Sequence, residues 1–550
     1  HVAEIMSKNS LRFYFAILIL AGVVLLVYVG WLPFSYSGDD LQYAMVIEQA
    51  TSDRTLYHPT GTVNLRLDSD AQPQNERKII PVNIRYILEY PSSILFVKIW
   101  QRLGWDGDVI LPILWLRMLA GVLGLIFFFL ALHRMTHKVG ISLVVSFGLA
   151  TTLTYWTYST HIDQSISMIL FSCVGLFVLA HVYHHSKGIM IAAIALGAAT
   201  LFNFTAAVLA AAVTLTLFFL LDRGKIAVAS KSFAFTASYF LLVAVVLIGA
   251  LLWVNQTRKI DADFFKSASF YGHPEYLMEF PRDVIRAVFG SAKSQVTFPG
   301  YSGSLQALWD QSSNRDRAVI LSFYGAILLF MAVPVFIFIA NKPAFTREER
   351  NFGLTLIAWF VFFSMFNIWW DPGYIKYWLI PLTCWWALTG LVLSRLKAQS
   401  SKGYAWLMVG LVTLVAFTFV TNFLSTFLPE SKRENNISLS TALSIKEVSS
   451  PFDLFISPGT PLDFYLAYFS ERDVRSVGLL AYGTGGDMRR IHNVVSLARD
   501  QHLSAGGEIY ILKPRNVSPS DYQLLLDLMG NVPLELVWSY SDVEVYRLLQ

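Results

Sequence analysis

Residues 13–40 read FYFAILILAGVVLLVYVGWLPFSYSGDD. From Phe13 to Pro33 no side chain is charged. An α-helix rises about 1.5 Å per residue, so a run of this length crosses the ~30 Å hydrocarbon core of a bilayer. Trp31 and Tyr36 stand at its end, the residue types that settle at a membrane surface. A Ser37-Gly38 turn then leads to a carboxylate pair, Asp39-Asp40. Ionised groups beside hydrocarbon are costly without a partner or a task. The stretch therefore predicts a membrane anchor that delivers an acidic pair to one surface. No small-residue cleavage site follows a short apolar core, so the segment reads as a retained anchor and not as a signal peptide.

Apolar runs recur at 109–132, 140–158, 165–183, 189–202, 205–221, 233–254, 318–340, 352–370, 374–394 and 405–427, about eleven spans with the first. The run at 189–202 is short and suits a tilted or re-entrant segment. Over 550 residues the chain is 55% hydrophobic and 15% charged, with mean hydropathy +0.51. That composition excludes a string of ordinary soluble domains and predicts an α-helical polytopic membrane protein.

Orientation follows from the basic residues. With the N-terminus inside, the inside segments 1–12, 133–139, 184–188, 222–232, 341–351 and 395–404 carry fourteen Lys and Arg against four Asp and Glu. Cations concentrate in short cytoplasmic loops. The C-terminal region then lies outside, and the expected location is a cytoplasmic (inner) membrane, multi-pass. From Pro429 onward there are 11 Lys and Arg against 15 Asp and Glu, so no basic surface points to nucleic acid. Cys173 and Cys384 both lie within spans, which argues against a disulfide framework or a thiolate metal site.

The outside segments are long. Loop 34–108 contains Pro91 to Leu103, with apolar residues at helical spacing and Lys98 and Arg102 on another face, the pattern of a helix lying in the interface. Loop 255–317 interleaves aromatic residues with Arg282, Arg286 and Lys293. The tail alternates strand-like runs (452–457, 474–480, 508–513, 534–540, 543–549) with helix-like runs (487–503, 518–528), which suggests a small extracytoplasmic α/β domain. The expected division is a polytopic domain at 1–428 and a soluble domain at 429–550. Whatever work is done faces outward.

With these residues in view, the chain resembles the GT-C-fold glycosyltransferases that take a sugar from a polyprenyl-phosphate carrier, of the protein mannosyltransferase and aminoarabinose transferase kind. Those proteins carry an acidic pair early in the first outer loop, where Asp39-Asp40 stands. Many show a His-Pro-Pro motif, an amphipathic helix, a Gly and an Arg in the second span. Here Tyr90-Pro91-Ser92, Gly104 and Arg117 follow in that order, with Tyr in place of His. The turn containing His161 and Asp163 resembles the family's polar turn between spans three and four. Lys376-Tyr377 resembles an Arg-Tyr element before a proline-containing span, with Lys for Arg. The resemblance covers roughly residues 10 to 395 and leaves the tail unexplained. It implies a polyprenyl-phosphate-linked sugar donor held among membrane lipids, and a glycan, lipid or protein acceptor.

Such a transfer needs a base for the acceptor's hydroxyl proton and a cation for the departing phosphate. Asp39 and Asp40 are the candidate catalytic carboxylates; the other reading is a helix N-cap, and one Asp can cap while the other reacts. Arg117, Lys376, Arg282, Arg286 and Lys293 are candidates for the phosphate, with Tyr377 beside Lys376. Arg117 reads equally as half of an internal ion pair, and Lys376 with Tyr377 as an interface anchor. His58, His161 and Asp163 are candidates for substrate or metal binding, or simply solvated turns. No cofactor is certain; a divalent cation on Asp39 or Asp40 is compatible with oxygen ligands. Gly483-Thr484-Gly485-Gly486 lacks the spacing of a phosphate loop and reads as a turn. A lipid-sugar flippase or transporter would call for inverted repeats and broken helices meeting at the midplane, and no two matching halves occur. A membrane scaffold with a partner-binding tail would not call for the outer acidic pair.

Overall fold

The computed structural model describes residues 2–52, 56, 59, 87–182, 186–220, 226–257, 280–301, 305–340, 345–371, 373–399, 401–484, 486–515, 517–540 and 542–549. The chain divides into two compact units. One comprises His1–Leu32, Val82–Ser92 and Leu114–Pro429, and the other Pro33–Pro81, Ser93–Ile113 and Glu430–Gln550.

The first unit is a bundle of apolar helices. Six helices among the described residues are long and apolar enough to cross a membrane: Leu11–Gly30, Ile110–Thr136, Asn314–Ala340, Arg347–Trp370, Ile375–Leu396 and Lys402–Glu430. The run expected as one span at 140–158 is instead a pair, Val139–Ala150 and Leu153–Thr160, bent by 68°. Among the described residues there are also shorter apolar helical stretches, Ser165–His181, Gly188–Phe202, Phe204–Val213 and Phe233–Val246, the last lying inside helix Ile226–Thr257. Every apolar run is thus helical over its described residues; six or seven helices among the described residues meet the length and composition of a span, and helix Ile226–Thr257 is 32 residues long. The chain is an integral, polytopic membrane protein.

Helix faces show what each one meets. In the first span Ala16, Leu20, Val24 and Tyr28, four apart, are buried, while Leu18 and Leu26 are 68% and 74% exposed. A face of exposed leucines is where lipid belongs. Residues 379–394, by contrast, are buried all round, as a helix at the centre of a bundle must be. Gly148 makes one such contact possible, since a Cβ there would fall 2.2 Å from the Trp386 ring.

The bend at Thr151-Thr152 has a local cause. Thr152 adopts extended backbone (φ −61, ψ 143) and its hydroxyl accepts from the Tyr155 N–H, capping the next helix. Buried Asn422 satisfies the groups left over: its amide donates to the carbonyls of Thr151 (2.9 Å) and Gln295 (3.2 Å), and its oxygen accepts from Thr297 N (2.8 Å). Unpaired backbone groups at the break would cost more than a bond each in hydrocarbon.

The second unit holds a five-stranded sheet in the order β2-β1-β3-β5-β4, from β1 (Leu454–Ser457), β2 (Asp473–Ser476), β3 (Ile509–Pro514), β4 (Leu534–Ser539) and β5 (Val543–Leu548). β1 pairs parallel with β2 and β3; β5 pairs antiparallel with β3 and β4. Helix Met488–Ser504 presents Ile491, Val495 and Ala498, at i, i+4 and i+7, to a core that includes Leu454, Ile456 and Ile511. The expected strand at 474–480 ends at Ser476; Val477–Thr484 is helical. A short apolar run does not declare its period, and here the helix wins once the edge strand has made its four pairs.

Candidate functional site

The acidic pair opens helix Gly38–Thr51, and its two members stand in different surroundings. Ser37 is extended (φ −74, ψ 165) and caps the helix: its hydroxyl accepts from Asp40 N (3.1 Å), and the Asp40 carboxylate accepts from Ser37 N (2.9 Å). This reciprocal box satisfies two of the donors every helix start leaves over, and negative charge in a first turn suits the helix dipole. Asp40 is 6% exposed. Asp39 is exposed, and its carboxylate has no hydrogen-bond partner among the described residues. Further along, buried Glu48 accepts from Val109 N (3.2 Å) and from the Tyr468 hydroxyl (3.1 Å), and the Tyr43 hydroxyl donates to Ser93 Oγ (2.8 Å).

Within the first unit the other candidates gather around a few elements. Lys376 lies in the 3-10 turn Ile375–Trp378, with Nζ donating to Asp163 Oδ2 at 2.7 Å. Asp163 Oδ1 also accepts from Ser165 N (2.7 Å), at the start of the Ser165–Val182 helix. Burial pushes the Asp163 carboxyl up, but the Lys376 ammonium and the Ser165 donors more than offset that and hold it below the usual carboxylate range. His161 ends helix Leu153–Thr160, its Nδ1 2.9 Å from the Thr157 carbonyl. The Tyr377 hydroxyl accepts from Trp370 Nε1 (2.8 Å), and Asn367 holds the Tyr377 carbonyl (2.8 Å).

Helix Phe280–Gln295 packs against both the Lys376 turn and helix Leu153–Thr160. It carries Arg282, Arg286 and Lys293 at i, i+4 and i+11, within about 40° of one another at 100° per residue. Arg282 is exposed, and Arg286 sits 3.7 Å from buried Asp283. Burial lowers the Lys293 ammonium to about 8. Lys376, Asp163 and helix Phe280–Gln295 therefore belong to one neighbourhood.

Arg117 is elsewhere in role. It is fully buried in an ion pair with Glu89, and its Nη1 donates to Ser167 Oγ at 3.2 Å. Glu89 was not among the candidates, although an acid at the head of an apolar helical run signals a buried partner. His58 lies outside the described residues. No group of three His, Cys, Asp or Glu side chains able to hold a metal ion occurs among the described residues. An apolar cavity of about 370 Å³ opens among Val24, Tyr28, Phe147, Trp156, Val415 and Phe419. Trp156 belongs to the same short helix that leads into the His161–Asp163 turn.

No protein-family model and no curated protein matches the sequence. Solved structures do. The chain is similar to ArnT from Cupriavidus metallidurans in the apo state, with TM-score 0.60 and 12% identity, covering 98% of this chain and 98% of that one. The same protein bound to undecaprenyl phosphate gives TM-score 0.58 and 13% identity, covering 96% and 97%. The Archaeoglobus fulgidus oligosaccharyltransferase tethered with an acceptor peptide gives TM-score 0.51 and 12% identity, covering 97% of this chain and 74% of that one. At such identities the likeness is one of fold.

Proposed function

We propose, from the premise that this chain has the GT-C fold, that it is a membrane glycosyltransferase. It moves a sugar from a polyprenyl-phosphate carrier to an acceptor hydroxyl at the outer face of the membrane. The observation that carries this reading is the divided acidic pair: Asp40 is spent on the helix cap, and Asp39 is left exposed in the first turn.

In the reaction, Asp39 takes the proton of the acceptor hydroxyl as its oxygen attacks the anomeric carbon. The bond from that carbon to the phosphate oxygen breaks, and polyprenyl phosphate departs with the electron pair. Direct displacement inverts the anomeric centre. Charge builds on the departing phosphate and calls for a cation; within the first unit Lys376, Arg282, Arg286 and Lys293 are groups of that chemistry. Lys376 already holds Asp163, so the phosphate competes with that carboxylate for the ammonium. Tyr377 and His161 fix the turns on either side. The wholly apolar cavity beside Trp156 suits a hydrocarbon chain, the part of such a donor that cannot leave the bilayer. Arg117, sealed against Glu89, holds its two helices together rather than the donor. ArnT was solved with undecaprenyl phosphate, which makes that lipid the first donor carrier to try. The excess of inside cations supports an inner-membrane protein with its C-terminal domain outside.

The test is a pair of isosteric variants. Asp39→Asn is expected to slow transfer by roughly 100- to 10,000-fold, the range lost with a general base. Asp40→Asn keeps an oxygen for the cap and is expected to lose much less. Equal activity of folded Asp39→Asn and unaltered protein would overturn the assignment.

A further inference from the structure

Asp39 has no side chain holding its carboxylate among the described residues, so its position is set by its backbone alone. The backbone leading into it, Phe34 to Gly38, is gripped by residues of the tail, all within the second unit. The Tyr465 hydroxyl accepts from Tyr36 N (2.7 Å) and donates to Tyr36 O (2.9 Å). It also accepts from Asn436 Nδ2 (2.9 Å), which uses its proton and both lone pairs. Asn436 donates as well to the Phe34 carbonyl, while Phe34 N donates to Glu430 O (2.8 Å). Phe464 lies so close to Gly38 that a Cβ there would fall 2.9 Å from two ring carbons. The Tyr36 ring stacks on Phe469 at 6.1 Å.

The local fold explains how one short segment makes all these contacts. Leu462–Tyr465 runs on into a π-helical turn, Leu466–Ser470, and residues 464, 465, 468 and 469 come to one side. Tyr468 reaches Glu48, two to three turns beyond Asp39 on the same helix. The helix that begins with the acidic pair is therefore held at its entry and in its second half by the same tail segment. Widened turns of this kind recur at functional sites.

We propose that Tyr465, with Asn436 and Phe464, is a positioning residue for Asp39, and that the C-terminal domain is a working part of the transfer site. The inference rests on the reading of Asp39 as the base. A shift of about 1 Å in a reacting group costs on the order of 100-fold in rate. Tyr465→Phe keeps the ring and removes the three hydrogen bonds; Gly38→Ala pushes Asp39's turn off Phe464.

The experiment uses the purified full chain in lipid nanodiscs. Turnover is read as undecaprenyl phosphate released from undecaprenyl-phosphate-linked mannose, glucose and aminoarabinose. Tyr465→Phe and Gly38→Ala are each expected to lower kcat about 10- to 100-fold with the donor KM unchanged. Because Tyr465 acts through Asp39, the double variant Tyr465→Phe/Asp39→Asn is expected to be no slower than Asp39→Asn alone. Multiplied losses in the double variant would mean a general structural role and overturn the proposal. So would a wild-type kcat in folded Tyr465→Phe, or, should that variant not fold, in Gly38→Ala. Activity that survives Asp39→Asn in full would instead overturn the reading of Asp39, and the positioning role with it.

Discussion

Removing Glu89 should unfold the membrane unit more readily than removing almost any single apolar side chain. The Arg117 and Glu89 side chains are 0% and 1% exposed, and the guanidinium also donates to Ser167 Oγ. Glu89→Leu leaves a permanently charged group in a low-dielectric interior, since Arg does not deprotonate. Breaking a buried pair in this way costs about 3–5 kcal/mol. A cavity alone costs about 2–5 kcal/mol for a large aliphatic residue cut to Ala, so the decisive comparison is the double variant. Glu89→Leu/Arg117→Met removes both charges and keeps volume. It should return to within about 1 kcal/mol of the unaltered protein or exceed it, because neither ion need be desolvated. Denaturant unfolding of the full chain in mild detergent measures all three variants. A loss of less than about 1 kcal/mol for Glu89→Leu alone, or a double variant less stable than either single one, would refute the argument.

Asp163 gives a second expectation. Its carboxyl is held below the ordinary value of 3.8, so its contribution is present above that value and lost as pH falls through the lower folded value; Asp163→Asn should remove that acid-side loss of stability, and an unaltered acid limb would refute it. Lys293, lowered to about 8, should lose its charge as pH rises through that value, so the donor KM should climb above about pH 8. Lys293→Arg should abolish that rise, and a KM flat across pH 7 to 9 in the unaltered protein would exclude Lys293 from the phosphate. Protease added to intact spheroplasts should release a fragment beginning near residue 430, and cleavage in inverted vesicles alone would reverse the proposed topology.

Much of the fold was legible because it rests on local pattern. Eleven apolar runs became helices, and the sequence Ser37-Gly38-Asp39-Asp40 has the three-residue spacing of a capping box. Which Asp caps and which is exposed was not legible, since it depends on the turn made by helix Gly38–Thr51. The break at Thr151-Thr152 was hidden within an apolar run, and its satisfaction by Asn422 joins residues far apart in sequence. Arg117 raised the demand for a partner without naming Glu89. The grip of Tyr465 on Tyr36 spans 429 residues; no periodicity or motif reports such a contact, which arises from the second unit's packing. The basic face of helix Phe280–Gln295 was present in the spacing of Arg282, Arg286 and Lys293, whereas its neighbour Lys376 became visible only in the fold.

The most direct measurement is transfer itself: the purified chain and its Asp39→Asn variant, each given undecaprenyl-phosphate-linked sugars of known anomeric configuration and a simple alcohol acceptor, with the product configuration read by NMR. The account calls for release of undecaprenyl phosphate, a glycoside of inverted configuration, and a roughly 100-fold or greater loss in Asp39→Asn. A product of retained configuration, or equal turnover by the two proteins, would contradict it.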